Sequence, residues 1–122
     1  MIRILYVDDE ADIREVAQLS LELDPDLEVR SCASGADGLG VAIEWHPHLI
    51  LLDVMMPGMD GPTTFTRLRE QSETADIPVV FITARTQAHE VERFYELGAR
   101  GVLAKPFDPM TLADQVRALL DG

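Results

Sequence analysis

Apolar and polar residues alternate along this chain in blocks, and the period of each block names the element it forms. Residues 3–7, RILYV, are β-rich and almost continuously apolar, as expected of a strand covered on both faces. Over 12–23 the spacing changes. Ile13, Val16, Ala17 and Leu21 recur at helical intervals, which predicts a helix with that set turned inward. In 27–34, LEVRSCAS, Leu27, Val29 and Ser31 alternate with Glu28 and Arg30, the period of a half-exposed edge strand. A helix over 35–46 is weakened by Gly38 and Gly40, each costing about 1 kcal/mol relative to alanine. The run LILL at 49–52 predicts a central strand.

The second half repeats the pattern. Residues 61–72 predict a helix with Pro62 in the first turn, where its missing N–H does no harm. PVVFIT, 78–83, is a third continuously apolar strand, with Pro78 at its start. A helix over 86–98 puts Ala88, Val91 and Tyr95 on one face and ends at Gly98. GVLA, 101–104, is a short last strand. Asp108 and Pro109 then open a helix that repeats Leu112, Val116, Leu119 and Leu120 down one side. Five strands alternating with five helices predict an α/β domain over 1–122, a parallel sheet covered on both sides. The strand order 2-1-3-4-5 is the common solution and leaves the alternating second strand at an edge.

Composition narrows the partners. Of the 122 residues, 47% are apolar and 26% charged, ordinary for a globular domain. A net charge of −12 argues against binding nucleic acid or an anionic membrane, both of which reward basic surfaces. The lone Cys32 can form no internal disulfide, fits a reducing cytosol, and reads as a small buried strand residue. No basic leader with a long apolar segment is present, and no apolar run approaches membrane-spanning length. A cytoplasmic location is expected.

The polar residues that matter fall at the C-terminal ends of strands. The first strand runs out at Asp8 and Asp9, the third at Asp53, the fourth at Thr83 and the fifth at Lys105. In a parallel sheet these ends share one rim, where open α/β sheets place their sites. Asp53 closes an apolar strand with no basic residue near it in sequence, and a buried anion needs a partner or a metal. Three carboxylates on one rim repel unless a cation sits among them. Oxygen-only ligands suit a hard ion such as Mg²⁺, and no His or Cys at these ends suggests zinc. Lys105 is the single lysine among ten cationic residues. Its compact ammonium can reach one oxygen of an anion in a tight site, where a planar guanidinium fits poorly.

VDDE after the first strand, LLDVMMPGMDG around the third, ITA ending the fourth and AKPF after the fifth stand in order along the chain. In this set the sequence resembles the receiver domain of a two-component response regulator, of chemotaxis-regulator type, over essentially all its length. The resemblance implies a flavodoxin-like (βα)5 fold. It implies that Asp53 is the phosphoacceptor, taking a phosphoryl group from a sensor histidine kinase or a histidine phosphotransfer protein. Asp9, Asp53 and the Met55 carbonyl would hold Mg²⁺, or Mn²⁺ in its place, with Asp8 contributing directly or through water. Lys105, the Thr83 hydroxyl and the Ala84 N–H would meet the phosphoryl oxygens. Such a domain is a signalling switch, and the only reactions it catalyses are its own phosphorylation and dephosphorylation. A downstream protein would dock on the face of the fourth helix, fifth strand and fifth helix, a face that also allows a homodimer. The Lys105–Pro106 bond is cis in similar proteins. The chain departs from the family at Val102, where an aromatic residue usually couples the site to that face. Phosphorylation is expected to survive this change, with the output either carried through the fourth-helix backbone or weakened. Met55 and Arg85 flank the site, where side chains tune the lifetime of the phosphoryl group.

Other candidates have plain explanations. His46, His48 and His89 are scattered and read as surface or capping residues, Trp45 as partly buried packing, and Glu90, Glu92 and Glu96 as a solvated helix face. The letters DEAD at 9–12 lack a preceding phosphate-binding loop. A flavodoxin-like cofactor binder would need free N–H groups after the first strand, where DDEAD repels phosphate. An Asp-nucleophile phosphatase would need a second carboxylate just past Asp53, and position 55 is Met. An interaction module that no longer takes up phosphate would not need the full set of five residues.

Overall fold

The computed structural model describes residues 1–121. Strands and helices alternate as β1 (Ile2–Val7), α1 (Ala11–Leu21), β2 (Leu27–Cys32), α2 (Gly35–Trp45), β3 (Leu49–Asp53), α3 (Gly61–Glu70), β4 (Val79–Thr83), α4 (Ala88–Leu97), β5 (Gly101–Ala104) and α5 (Leu112–Asp121). All neighbouring strands are parallel, in the order β2-β1-β3-β4-β5. This is the flavodoxin-like doubly wound arrangement that the alternation predicts.

The near-continuous apolar runs follow from covering both faces of the sheet. Successive strand residues point to opposite sides. Ile4, Tyr6, Leu49, Leu51, Val80 and Ile82 enter one core with Ala17 and Leu21 of α1 and Leu112 and Val116 of α5. Leu5, Val7, Ile50, Leu52, Val79 and Phe81 enter the other with Ala42 of α2 and Phe65 and Leu68 of α3. The edge strand β2 alternates as its sequence predicts, with Leu27 and Val29 buried and Glu28 and Arg30 exposed. Cys32 is buried at its end.

Several helix ends are capped by local chemistry. The Ser34 hydroxyl accepts from the N–H of Asp37 at 3.1 Å, and the Asp60 carboxylate from that of Thr63 at 2.9 Å. Gly98 closes α4 at φ 113°, a left-handed conformation in which a Cβ would be strained. Arg117 ties α5 to the α1–β2 loop, donating to Asp24 and Asp26 at 2.7 Å each. His48 accepts the Arg3 N–H at 2.9 Å, and Trp45 lies under the Arg30 guanidinium at 4.6 Å, so both act in packing.

Three expectations need correction. Val16 is 40% exposed, because the inward stripe of α1 runs through Ile13, Ala17, Ser20 and Leu21 and leaves Val16 on its border with Leu19. On α4 the inward residues are Val91 and Phe94, both partly buried, while Ala88 and Tyr95 are exposed. Phe94 turns in because its ring stacks on Phe81 at 4.9 Å, and Phe81 in turn meets Phe65 at 5.6 Å. Glu90 is partly buried beside them and does not share the solvated face of Glu92 and Glu96. Several elements are also shorter than expected: α1 stops at Leu21, β2 at Cys32 and α3 at Glu70, and α4 spans only Ala88–Leu97. Helix α5 opens at Leu112, after a turn in which the Asp108 carboxylate accepts the Met110 N–H.

Candidate functional site

Sheet register assembles the site. Val7 of β1 pairs with Leu52 of β3, so the next residues, Asp8 and Asp53, leave the sheet side by side. Thr83 ends β4 opposite Ala104 of β5, and the Lys105 N–H donates to the Thr83 carbonyl at 2.9 Å. The lysine stem then crosses β4 toward the acids. Its Nζ lies 3.0 Å from Asp8 Oδ2, 3.0 Å from Glu10 Oε1 and 3.4 Å from Asp53 Oδ2. The Lys105–Pro106 peptide is cis, as the resemblance implies.

Asp8, Asp53 and Thr83 are buried, and Asp9 is exposed. One carboxylate oxygen from each of Asp8, Asp9 and Asp53 lies within 4.8 Å of the others. Met55, Thr83, Ala84 and Lys105 line the same opening of about 310 Å³ above Asp53, together with Glu10 and Pro106. The structure therefore brings together all seven residues singled out from the sequence. Met55 is 70% exposed at the mouth of this opening. The Thr83 hydroxyl accepts the Arg85 N–H at 3.0 Å.

Electrostatics explain why such a cluster needs cations. Burial pushes Asp53 up to about 6, the Asp8 charge adds to the rise, and Lys105 offsets only part of it. Burial works against the Lys105 ammonium, but hydrogen bonds to Asp8 and Glu10 and the charges of Asp53 and Asp8 outweigh it and hold its pKa above the ordinary value. The donors are all oxygen, closely spaced and short of positive charge, a set that fits a hard divalent ion.

Two contributors escaped sequence analysis. Glu10 reaches Lys105 from an exposed loop position, and nothing in VDDE beyond its acidity signals that contact. Tyr6 donates its hydroxyl to Asp8 Oδ2 at 3.0 Å. A signal for this one existed, since Asp8 follows β1 directly, two positions past Tyr6, and continues the strand's alternation onto the same side.

Gly61 fixes the wall opposite. A Cβ built there would lie 2.5 Å from the Asp53 carbonyl oxygen and 2.8 Å from Val54 Cα. The start of α3 thus rests directly on the phosphoacceptor candidate's backbone, and the Gly61 N–H donates to Val54 at 2.9 Å. Gly61→Ala is expected to lower stability by about 1–3 kcal/mol through overpacking, read as an earlier urea midpoint. An unchanged midpoint would show that the loop can yield freely.

Fold and site together define a response regulator receiver domain. Residues 4–117 match that family, and the chain belongs to it. It is 39% identical over 120 residues to the DNA-binding dual master transcriptional regulator RpaA of Synechocystis, covering 98% of this chain and 49% of that protein. Response regulator PleD of Caulobacter vibrioides is 43% identical over 119 residues, covering 96% of this chain and 26% of that protein. Among solved structures, the chemotaxis response regulator CheY4 of Vibrio cholerae superposes with a TM-score of 0.89 at 32% identity, covering 98% of each chain. The chain spans about half the length of most of the curated relatives it matches. Among the described residues no helix is long and apolar enough to cross a membrane.

Proposed function

We propose that this chain is a phosphorylation-dependent switch in which Asp53 takes a phosphoryl group from a phosphohistidine. The observation that carries this is the placement of a buried Asp53 within 3.4 Å of the Lys105 ammonium and beside the Asp8 and Asp9 carboxylates. An Asp53 carboxylate oxygen attacks phosphorus, the P–N bond of the donor breaks, and the electron pair leaves with the imidazole. Asp8, Asp9, Asp53 and the Met55 carbonyl would hold Mg²⁺, which when bound neutralises charge on the attacking carboxylate and the incoming phosphoryl group. Lys105 is already poised at Asp53 and turns its Nζ to a phosphoryl oxygen. The Thr83 hydroxyl and the Ala84 N–H, which border the same opening, supply neutral donors for the others.

Phosphorylation adds charge and acceptor oxygens at one point, and drawing Thr83 and Lys105 toward them alters the surface above. The partners proposed are a sensor histidine kinase or phosphotransfer protein upstream and a protein docking on the α4–β5–α5 face downstream. A homodimer through that face would use the same surface. Some relatives are transcriptional regulators by name, but residues 1–122, with a net charge of −12, are not proposed to touch nucleic acid themselves.

Mass spectrometry after incubation with Mg²⁺ and a small phosphodonor such as acetyl phosphate tests the proposal. One acid-labile phosphate is expected on the wild type and none on Asp53→Asn. An unlabelled wild type would favour an interaction module that has the fold without the chemistry.

A further inference from the structure

We infer that Tyr6 is a positioning residue of the acidic pocket, fixing the Asp8 carboxylate for a divalent cation; the inference rests on the function proposed above. Tyr6 is completely buried on β1, in the core it shares with Ile4, Leu51 and Ile82. A hydroxyl placed in such a core is unfavourable unless it is bonded, and its bond is made to the pocket rather than to the backbone. Tyr6 donates to Asp8 Oδ2 at 3.0 Å, the oxygen that also accepts Lys105 Nζ at 3.0 Å. The other oxygen, Oδ1, accepts the Glu10 N–H at 3.0 Å.

Asp8 is therefore held by three donors of different character. The Glu10 N–H belongs to the backbone, and the Tyr6 phenol is locked by the core around it. The Lys105 ammonium sits on a flexible stem and is shared with Glu10 and Asp53. Only the first two fix the plane of the carboxylate independently of what Lys105 does. When the ammonium is redirected to another anion, Tyr6 keeps Asp8 from turning after it. Hydrogen-bond partners that orient a ligand in this way are typically worth 10–100-fold in metal affinity.

Calorimetric titration of Mg²⁺ into the wild type, Tyr6→Phe and Tyr6→Leu tests this without phosphorylation. Tyr6→Phe keeps the ring and loses only the hydroxyl, whereas Tyr6→Leu also matches the aliphatic residues nearby and loses the ring. A role of the hydroxyl predicts that both variants bind roughly tenfold more weakly and by a similar factor. Stability measured in urea is expected to separate them, Leu falling further because it leaves a cavity. A Tyr6→Phe affinity within twofold of wild type, with only Leu weakened, would make Tyr6 a packing residue and overturn the inference. Wild type that takes up no Mg²⁺ would remove the cation from the proposed function and this inference with it. Wild type that binds alongside an unaffected Tyr6→Phe would remove the inference alone.

Discussion

Asp53→Asn, which removes the proposed phosphoacceptor, is expected to make the metal-free protein more stable at neutral pH. Burial and the Asp8 charge raise Asp53 to about 6 in the folded chain, against about 4 in an unfolded one. Between those values the unfolded chain has lost a proton that the folded chain keeps. Stability contributed by this group therefore falls as pH rises through the window and stays low above it. Removing the charge returns on the order of 2 kcal/mol at neutral pH. Below about pH 4 the carboxyl is protonated in both states and the gain disappears. Urea midpoints of the two proteins at several pH values, in chelator, provide the measurement. Equal midpoints at neutral pH would mean that Lys105 fully compensates the buried charge. The same rise in pKa makes protons compete with a cation, so Mg²⁺ affinity is expected to fall as the pH drops below about 6.

The second large effect runs in the opposite direction. Lys105→Met keeps much of the side-chain volume but removes the ammonium that Asp8, Glu10 and Asp53 share. Asp8 is completely buried, and depriving a buried ion of its partner is strongly destabilising, about 3 kcal/mol or more. Excess Mg²⁺ should restore a large part of this, because an ion that binds only the folded state stabilises it by mass action. The variant is thus expected to gain more from Mg²⁺ than the wild type does. Melting curves with and without the ion decide the matter. A variant as stable as wild type in chelator would show that the acids manage without the lysine. Phosphate labelling of Asp53 is expected to drop sharply even when Mg²⁺ has restored the fold, since the cation proposed to meet a phosphoryl oxygen is gone.

What the sequence makes legible here depends on how directly a pattern fixes a position in space. Apolar runs such as LILL and PVVFIT can be satisfied only as strands covered twice, and parallel strands bring their C-terminal ends to one rim. Asp8, Asp9, Asp53, Thr83 and Lys105 could therefore be placed together although 97 residues separate the first from the last. Helix rotation was harder. Ala88, Val91, Phe94, Tyr95 and Leu97 do not make one stripe, and the choice among them is settled by Phe81, a residue on another element. Val16 failed for a similar reason, lying one position off a stripe completed by the polar Ser20, whose hydroxyl is satisfied by the Val16 carbonyl at 2.6 Å. Glu10 was illegible because its contact depends on loop conformation, which no periodicity encodes.

The attachment of α4 has a further consequence. None of its residues is fully buried, and the Phe94 ring on Phe81 is its one aromatic anchor to the sheet. Segments with so little apolar contact open at a fraction of the global unfolding free energy. The helix without a fully buried residue is thus the one beside Thr83 and Arg85, next to where the phosphoryl charge would arrive. If that helix were re-seated while the strands beneath stayed put, the chemistry proposed at Asp53 could be read at the surface without unfolding the protein that carries it.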